Sequence, residues 1–255
     1  SGLSSSAALA LSLLASAEEE ADVHGTVEQL PLLARRLEND YLHVQSGIMD
    51  QLAIVYGQKG CALWVDAEKK TAQAIPFFYQ QDGWRIWIID TRQPRSLAKS
   101  AYAVRVNEAH AAAQALHVPN LRRVQEDQLA ALPVELARRA RHILRENRRV
   151  EAVVAAAQQH QWQKVAELFQ ESHQSLAQDY AVTTPVLDET VQACRDIGVG
   201  ARMTGAGFGG SIVVIGPIAA EKDLQIIVQQ LYHRRRWEAA QVIPVAEPAA
   251  GLHRI

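Results

Sequence analysis

The first stretch of the chain is helical in pattern. Leu9, Leu13 and Ala17 recur every four residues behind a serine cluster in which Ser4 or Ser5 supplies the N-cap, ahead of Glu18, Glu19 and Glu20. Residues 27–41 repeat the pattern with Leu30, Leu33, Leu37 and Tyr41, a break follows at 44–47, and another helical turn or two begins near Ile48. Residues 57–60 read as a turn, and then the period changes. Residues 62–65 and 71–75 flank a polar turn at 66–70 as a hairpin, and 84–90 is a third strand rich in aromatic and β-branched side chains. Helix returns at 98–116 and within 122–149, where Pro133 marks a helix start, and again at 150–159, 162–175 and 185–197. A strand at 211–215, a helix at 220–231 and a strand at 240–245 complete the pattern. No period repeats, so solenoids and propellers are excluded and an α+β or α/β two-layer architecture is expected.

Composition narrows the function only by exclusion. The 255 residues are 48% apolar and 21% charged with a formal charge of −2, enough for one large domain or two small ones and without the basic excess that a nucleic acid or an anionic membrane surface requires. The eight arginines against four acids within 122–149 read as a solvated helical face in preference to a phosphate or acidic-partner site. With Cys61 and Cys194 alone, at most one disulfide can form and no C-x-x-C zinc pattern exists, which points to the reducing cytoplasm. No apolar run approaches the roughly 20 residues of a membrane span. The opening Ser1-Gly2-Leu3-Ser4 has neither an initiator Met nor a charged segment of a secretory signal, and it reads as the interior of a longer protein.

Two loops carry candidate chemistry. Leu3-Ser-Ser-Ser6 opens a helix, so unpaired backbone N–H groups, the positive end of the helix dipole and three hydroxyls meet in one place, which suits a phosphate; an ordinary N-cap is the competing reading. Gly205, Gly207, Gly209 and Gly210 lie immediately before a strand, where they allow positive φ and a close backbone approach to a ligand, or simply a tight turn. The dinucleotide-binding fingerprint needs a strand before and a helix after, and a Walker loop needs a lysine, so neither is present.

Together these segments resemble the galactokinase family of the GHMP kinase superfamily. Gly2-Leu-Ser-Ser-Ser-Ala7 matches the superfamily's second motif and Gly205-Ala-Gly-Phe-Gly-Gly210 its third, while Ser46-Gly-Ile-Met-Asp-Gln51 is the segment that points to galactokinases. Asp90-Thr-Arg, Arg95-Ser-Leu97 with Tyr102, Arg141-His with Glu146-Asn, and Ser172-His with Asp179-Tyr match in the same order. The family's first motif, R-x-N-[LI]-x-G-E-H-x-D-Y, is absent, and Ala101 stands where the family usually has Glu.

The resemblance implies an α+β, two-domain GHMP kinase fold: an incomplete N-terminal ribosomal S5-like part over 1–92 and a ferredoxin-like C-terminal domain over 93–255. It implies an ATP-dependent kinase that converts galactose to galactose 1-phosphate, with N-acetylgalactosamine kinase or a non-catalytic galactose- and ATP-binding regulator as alternatives. Gly2, Leu3, Ser4, Ser5, Ser6, Gly205 and Gly207 would bind ATP; Ser6 and Glu38 would hold Mg²⁺; Asp50 would be the catalytic base; Gly47, Asp50 and Tyr102 would meet the sugar. From the residues alone, Glu38 reads as a solvated helix-face acid and Tyr102 equally well as a core aromatic. The resemblance further implies a cytoplasmic monomer without nucleic-acid or membrane partners, and, because the sugar-orienting first motif is missing, inactivity of these 255 residues on their own.

Overall fold

A computed structural model of the chain describes residues 4–20, 28–41, 47–94 and 98–252. It divides into two compact units, residues 1–78 with 246–255 and residues 79–245.

In the first unit three helices share a small core. Helix α1 (Ser5–Glu20) buries Ala7, Ala10 and Leu11, of which Ala10 and Leu11 meet Leu30 and Ala34 of α2 (Leu30–Arg36) and Val55 of α3 (Met49–Tyr56). The expected Leu9–Leu13 stripe is not this face: those side chains are 63% and 62% exposed. Alanines at the contact let the helix axes approach closely, so the smaller residues mark the packed side. Helix α2 has a proline in its first turn and passes directly into a π-helical turn, Leu37–Tyr41. Strands β1 (Cys61–Asp66) and β2 (Thr71–Pro76) form the expected antiparallel hairpin, with Leu63 opposite Ala74 and the amides of Glu68 and Lys69 donating to Asp66 Oδ1 at the turn. Near its end the chain returns to this unit. Gly251 N donates to Gly57 O at 2.6 Å, Leu252 N to Ile54 O at 2.7 Å, and Gly60 N to Pro248 O at 3.1 Å. A Cβ on residue 251 would lie 2.7 Å from the carbonyl oxygens of Ile54 and Val55, so only glycine fits.

The second unit is built on a four-stranded antiparallel sheet, β3 (Trp84–Asp90), β4 (Gly200–Thr204), β5 (Ser211–Pro217) and β6 (Gln241–Pro244), in the order β4-β5-β3-β6. Register places Trp87 opposite Val214, Ile89 opposite Ile212 and Met203 opposite Ile212, so one face carries these fully buried side chains. That face packs on Leu187, Val191 and Cys194 of α7 (Pro185–Asp196) and on Leu224, Val228 and Leu231 of α8 (Glu221–Arg235). Helix α4 (Ala98–Ala115) and helix α5 (Val134–Gln158) share a second core through Ala112, Ala113, Ala137 and Ala140. Helix α5 is one continuous helix across 149–150, where two helical stretches were expected, because no glycine or proline interrupts it. Helix α6 (Trp162–Ser175) runs against β4 so closely that a Cβ on Gly200 would come within 2.4 Å of Ala166 Cα.

Strand β3 hydrogen-bonds to β5 and β6, and the compact units part between residues 78 and 79. The arginine run is not uniformly solvated: Arg139 is buried, its Nε donating to Glu108 at 2.8 Å and its Nη2 to Glu135 at 3.1 Å, with Nη1 on the Asp179 carbonyl.

Candidate active site

Of the serine loop, Gly2 and Leu3 lie outside the described residues. Ser4 sits immediately before α1 with φ of 60°, and its carbonyl takes the first helical bond from Ala8 N; Ser5 and Ser6, the first residues of α1, are exposed. Three hydroxyl-bearing residues therefore surround the N-terminus of a 16-residue helix whose other end of contact, Leu11, is locked against α3 through Val55.

Helix α3 carries Asp50 in its first turn, where the helix dipole favours a carboxylate, and Asp50 is half-buried. Its neighbour Gln51 is 1% exposed and donates from Nε2 to Glu38 Oε2 at 2.5 Å. Glu38, expected on a solvated helix face or at a metal, is 4% exposed. A buried carboxylate without partners is costly, and the Gln51 amide supplies one. Gln51 Oε1 has no hydrogen-bond partner among the described residues. Gly47 is exposed, and a Cβ there would meet nothing within 4 Å among the described residues. No cluster of three His, Cys, Asp or Glu side chains forms among the described residues, so any metal would need other oxygens as well.

In the second unit the glycine loop joins β4 to β5. Positive φ values occur at Gly205 (79°), Gly207 (85°), Phe208 (58°), Gly209 (122°) and Gly210 (93°). A Cβ on Gly207 would meet Val182 O at 2.3 Å, and Phe208 N donates to that same carbonyl at 2.7 Å. Among the described residues the amides of Gly205, Ala206, Gly207 and Gly209 take no acceptor, leaving a concave run of donors of the kind that binds anions. Behind the loop, His173 is buried. Its Nδ1 accepts from Met203 N at 3.1 Å and its Nε2 donates to Asp188 Oδ1 at 3.1 Å, which fixes the tautomer. Tyr102, on α4, is half-buried; it raises the hydroxyl pKa of Tyr180, though less than burial does, and among the described residues it makes no hydrogen bond to the glycine loop.

The α5–α6 seam holds the remaining matched motif residues. Glu146 accepts from Ser172 Oγ at 2.6 Å, Arg202 Nη1 at 3.0 Å and Arg149 Nε at 2.9 Å; burial pushes its pKa up, and Arg202, Ser172 and Arg149 outweigh that and hold it below the ordinary carboxylate value. His142 Nδ1 lies 2.9 Å from Ser175 Oγ and its ring stacks on Tyr180. Gln51, His173 and Glu146 all sit inside motifs recognisable in the sequence, but their side-chain partners are distant in the chain and left no local pattern to read.

The model of the GHMP kinases N terminal domain matches residues 1–58, and that of the GHMP kinases C terminal matches 153–233. A galactokinase of Roseiflexus sp. is 36% identical over the whole chain, and one of Thermococcus kodakarensis 34% over 91% of it. The crystal structure of Lactococcus lactis galactokinase complexed with galactose superposes with a TM-score of 0.91 at 30% identity over 98% of the chain. The chain belongs to the galactokinase family. It spans about two thirds of the length of these galactokinases, 67% of the Roseiflexus and Lactococcus proteins and 66% of the Thermococcus one. The wider GHMP fold is shared with an L. major mevalonate kinase at TM-score 0.62 and 21% identity. As a galactokinase-family chain, it keeps the serine and glycine loops on two separate compact units.

Proposed function

We propose that the protein transfers the γ-phosphoryl group of ATP to the 1-hydroxyl of galactose. The observation that carries this reading is the arrangement on α3, where Asp50 stands beside Gln51 and Gln51 grips the buried Glu38, in the segment that points to galactokinases. Asp50 accepts the proton of the attacking hydroxyl as its oxygen bonds to the γ-phosphorus and the bond to ADP breaks. The exposed hydroxyls at the N-terminus of α1, with Gly2 and Leu3, and the open amides around Gly205 and Gly207 bind phosphate oxygens. Gly47 and Tyr102 meet the sugar.

The Glu38 carboxylate and the unpartnered Gln51 Oε1 are hard oxygen ligands of the kind a hard cation takes. Glu38 and Ser6 would hold Mg²⁺, which neutralises phosphate charge when bound. Two free thiols, Cys61 and the buried Cys194, and the absence of any described helix long and apolar enough to cross a membrane support a cytoplasmic protein, read here as a monomer.

The test is sugar-dependent ADP release, run with residues 1–255 and with a form in which the part of the Roseiflexus relative that the match does not cover is joined ahead of Ser1. Turnover with galactose in the longer form supports the reading; preference for N-acetylgalactosamine, or binding without turnover, replaces it. In an active form, Asp50→Ala should lower kcat by roughly 10² to 10⁴ with a much smaller change in galactose KM. Near-normal turnover would remove Asp50 from the mechanism.

A further inference from the structure

The glycine loop cannot hold its own shape. Five of its six residues adopt positive φ, one of them the non-glycine Phe208, and glycine loses more backbone entropy on ordering than any other residue. Its conformation must be imposed from outside, and the side chain best placed to do so is Thr91, at the end of β3. Thr91 is 3% exposed. Its hydroxyl donates to Gly210 O at 2.5 Å while its own amide donates to the same carbonyl at 3.2 Å. The hydroxyl also accepts from Gln93 N at 3.3 Å, and Gln93 O in turn accepts from Gly210 N at 3.3 Å. A Cβ on Gly209 would come within 3.1 Å of the Gln93 and Pro94 carbonyls, so the 91–94 segment is pressed against the loop and glycine is what allows it. Thr184 Oγ1 donates to Gln93 Oε1 at 2.6 Å, which holds this segment from the other side.

We infer that Thr91 is a positioning residue for the glycine loop: its hydroxyl fixes the Gly209–Gly210 end and so keeps the open amides of the loop aimed at nucleotide phosphate. This rests on the kinase reading above for what the loop binds, but the brace itself does not. The hydroxyl closes one ring of hydrogen bonds through Gly210 O, Thr91, Gln93 and Gly210 N. An isosteric valine deletes the hydroxyl bonds and leaves volume and the backbone bond intact; serine restores them.

In an active form, Thr91→Val should raise the KM for ATP roughly tenfold, with galactose KM within about twofold, and Thr91→Ser should recover most of the loss. Amide hydrogen exchange should accelerate at 205–210 in Thr91→Val and stay unchanged in β4 and β5. Unchanged exchange and ATP KM in Thr91→Val overturn the inference, as does Thr91→Ser proving as impaired as the valine. Should the valine variant fail to fold, Gln93→Met removes the outer bond from Thr184 while leaving the α7 cap, and must speed exchange at 205–210 selectively for the inference to stand. If wild type shows no sugar-dependent turnover, the kinase reading falls while the exchange comparison still decides the brace.

Discussion

At the scale of single residues, Glu38 shows what local patterning misses. Counting leucines at helical spacing through Leu30, Leu33, Leu37 and Tyr41 places Tyr41 on the packed side and Glu38 in water, yet Tyr41 is 79% exposed and Glu38 is 4% exposed. The cause is the π-turn at Leu37–Tyr41, whose wider winding shifts the side chains after Arg36 off the α-helical wheel. The resemblance of motifs named Glu38 for a reason that periodicity could not supply. A consequence follows for Gln51, which is not among the expected metal ligands. Ser6→Ala, Glu38→Gln and Gln51→Leu should each raise the Mg²⁺ concentration for half-maximal activity, the last because Glu38 loses the amide that helps orient it, by roughly tenfold as for other residues behind a metal ligand. A Mg²⁺ titration at saturating ATP measures it. Coincident midpoints for all three variants and wild type would make Ser6 a plain cap and Glu38 a structural acid.

At the scale of elements, the sequence showed where helices and strands are and was less informative about what they touch. The β1–β2 hairpin and helices α6 to α8 agree with the periodicity within a few residues, because turns, a Thr184 N-cap and a proline at the start of α7 mark them locally. The buried face of α1 and the burial of Arg139 depended on partners far along the chain, which no short window contains. The α5–α6 seam is the clearest case, and its energetics depend on pH. Burial lowers the pKa of His142 from 6.5 to about 4; nearby Glu146 pulls it up and Arg149 and Arg202 push it down. The unfolded chain therefore binds a proton that the folded chain refuses between these values. Stability should hold above pH 6.5 and fall as pH drops toward 4, by about 3 kcal/mol from this group when the shift is complete. Urea unfolding from pH 7.5 to 4.5 should show that slope in wild type and a flatter one in His142→Gln. Parallel slopes would mean that His142 titrates normally.

At the scale of the whole molecule, chain order and spatial order part company. Strand β3 follows the hairpin in sequence but pairs with β5 and β6, and the last described residues leave the second unit to cap helix α3 in the first. Long-range pairing of this kind has no periodic signature in the sequence. Removing residues 246–255 deprives the Ile54 and Gly57 carbonyls of their donors and the first unit of the Leu252 contact. Hydrogen exchange should then rise through α3, including around Asp50, while the sheet of the second unit keeps its protection; uniform loosening of both units would show that the tail does something other than cap α3. That sheet has a further property. On its β4 side the Met203 amide is spent on His173 and Gln170 holds the Val199 carbonyl just before the strand; on its far side β6 is four residues long and ends in proline. Occupied backbone groups on one flank and a short, proline-ended strand on the other are devices that make an open sheet a poor template for a strand from another copy.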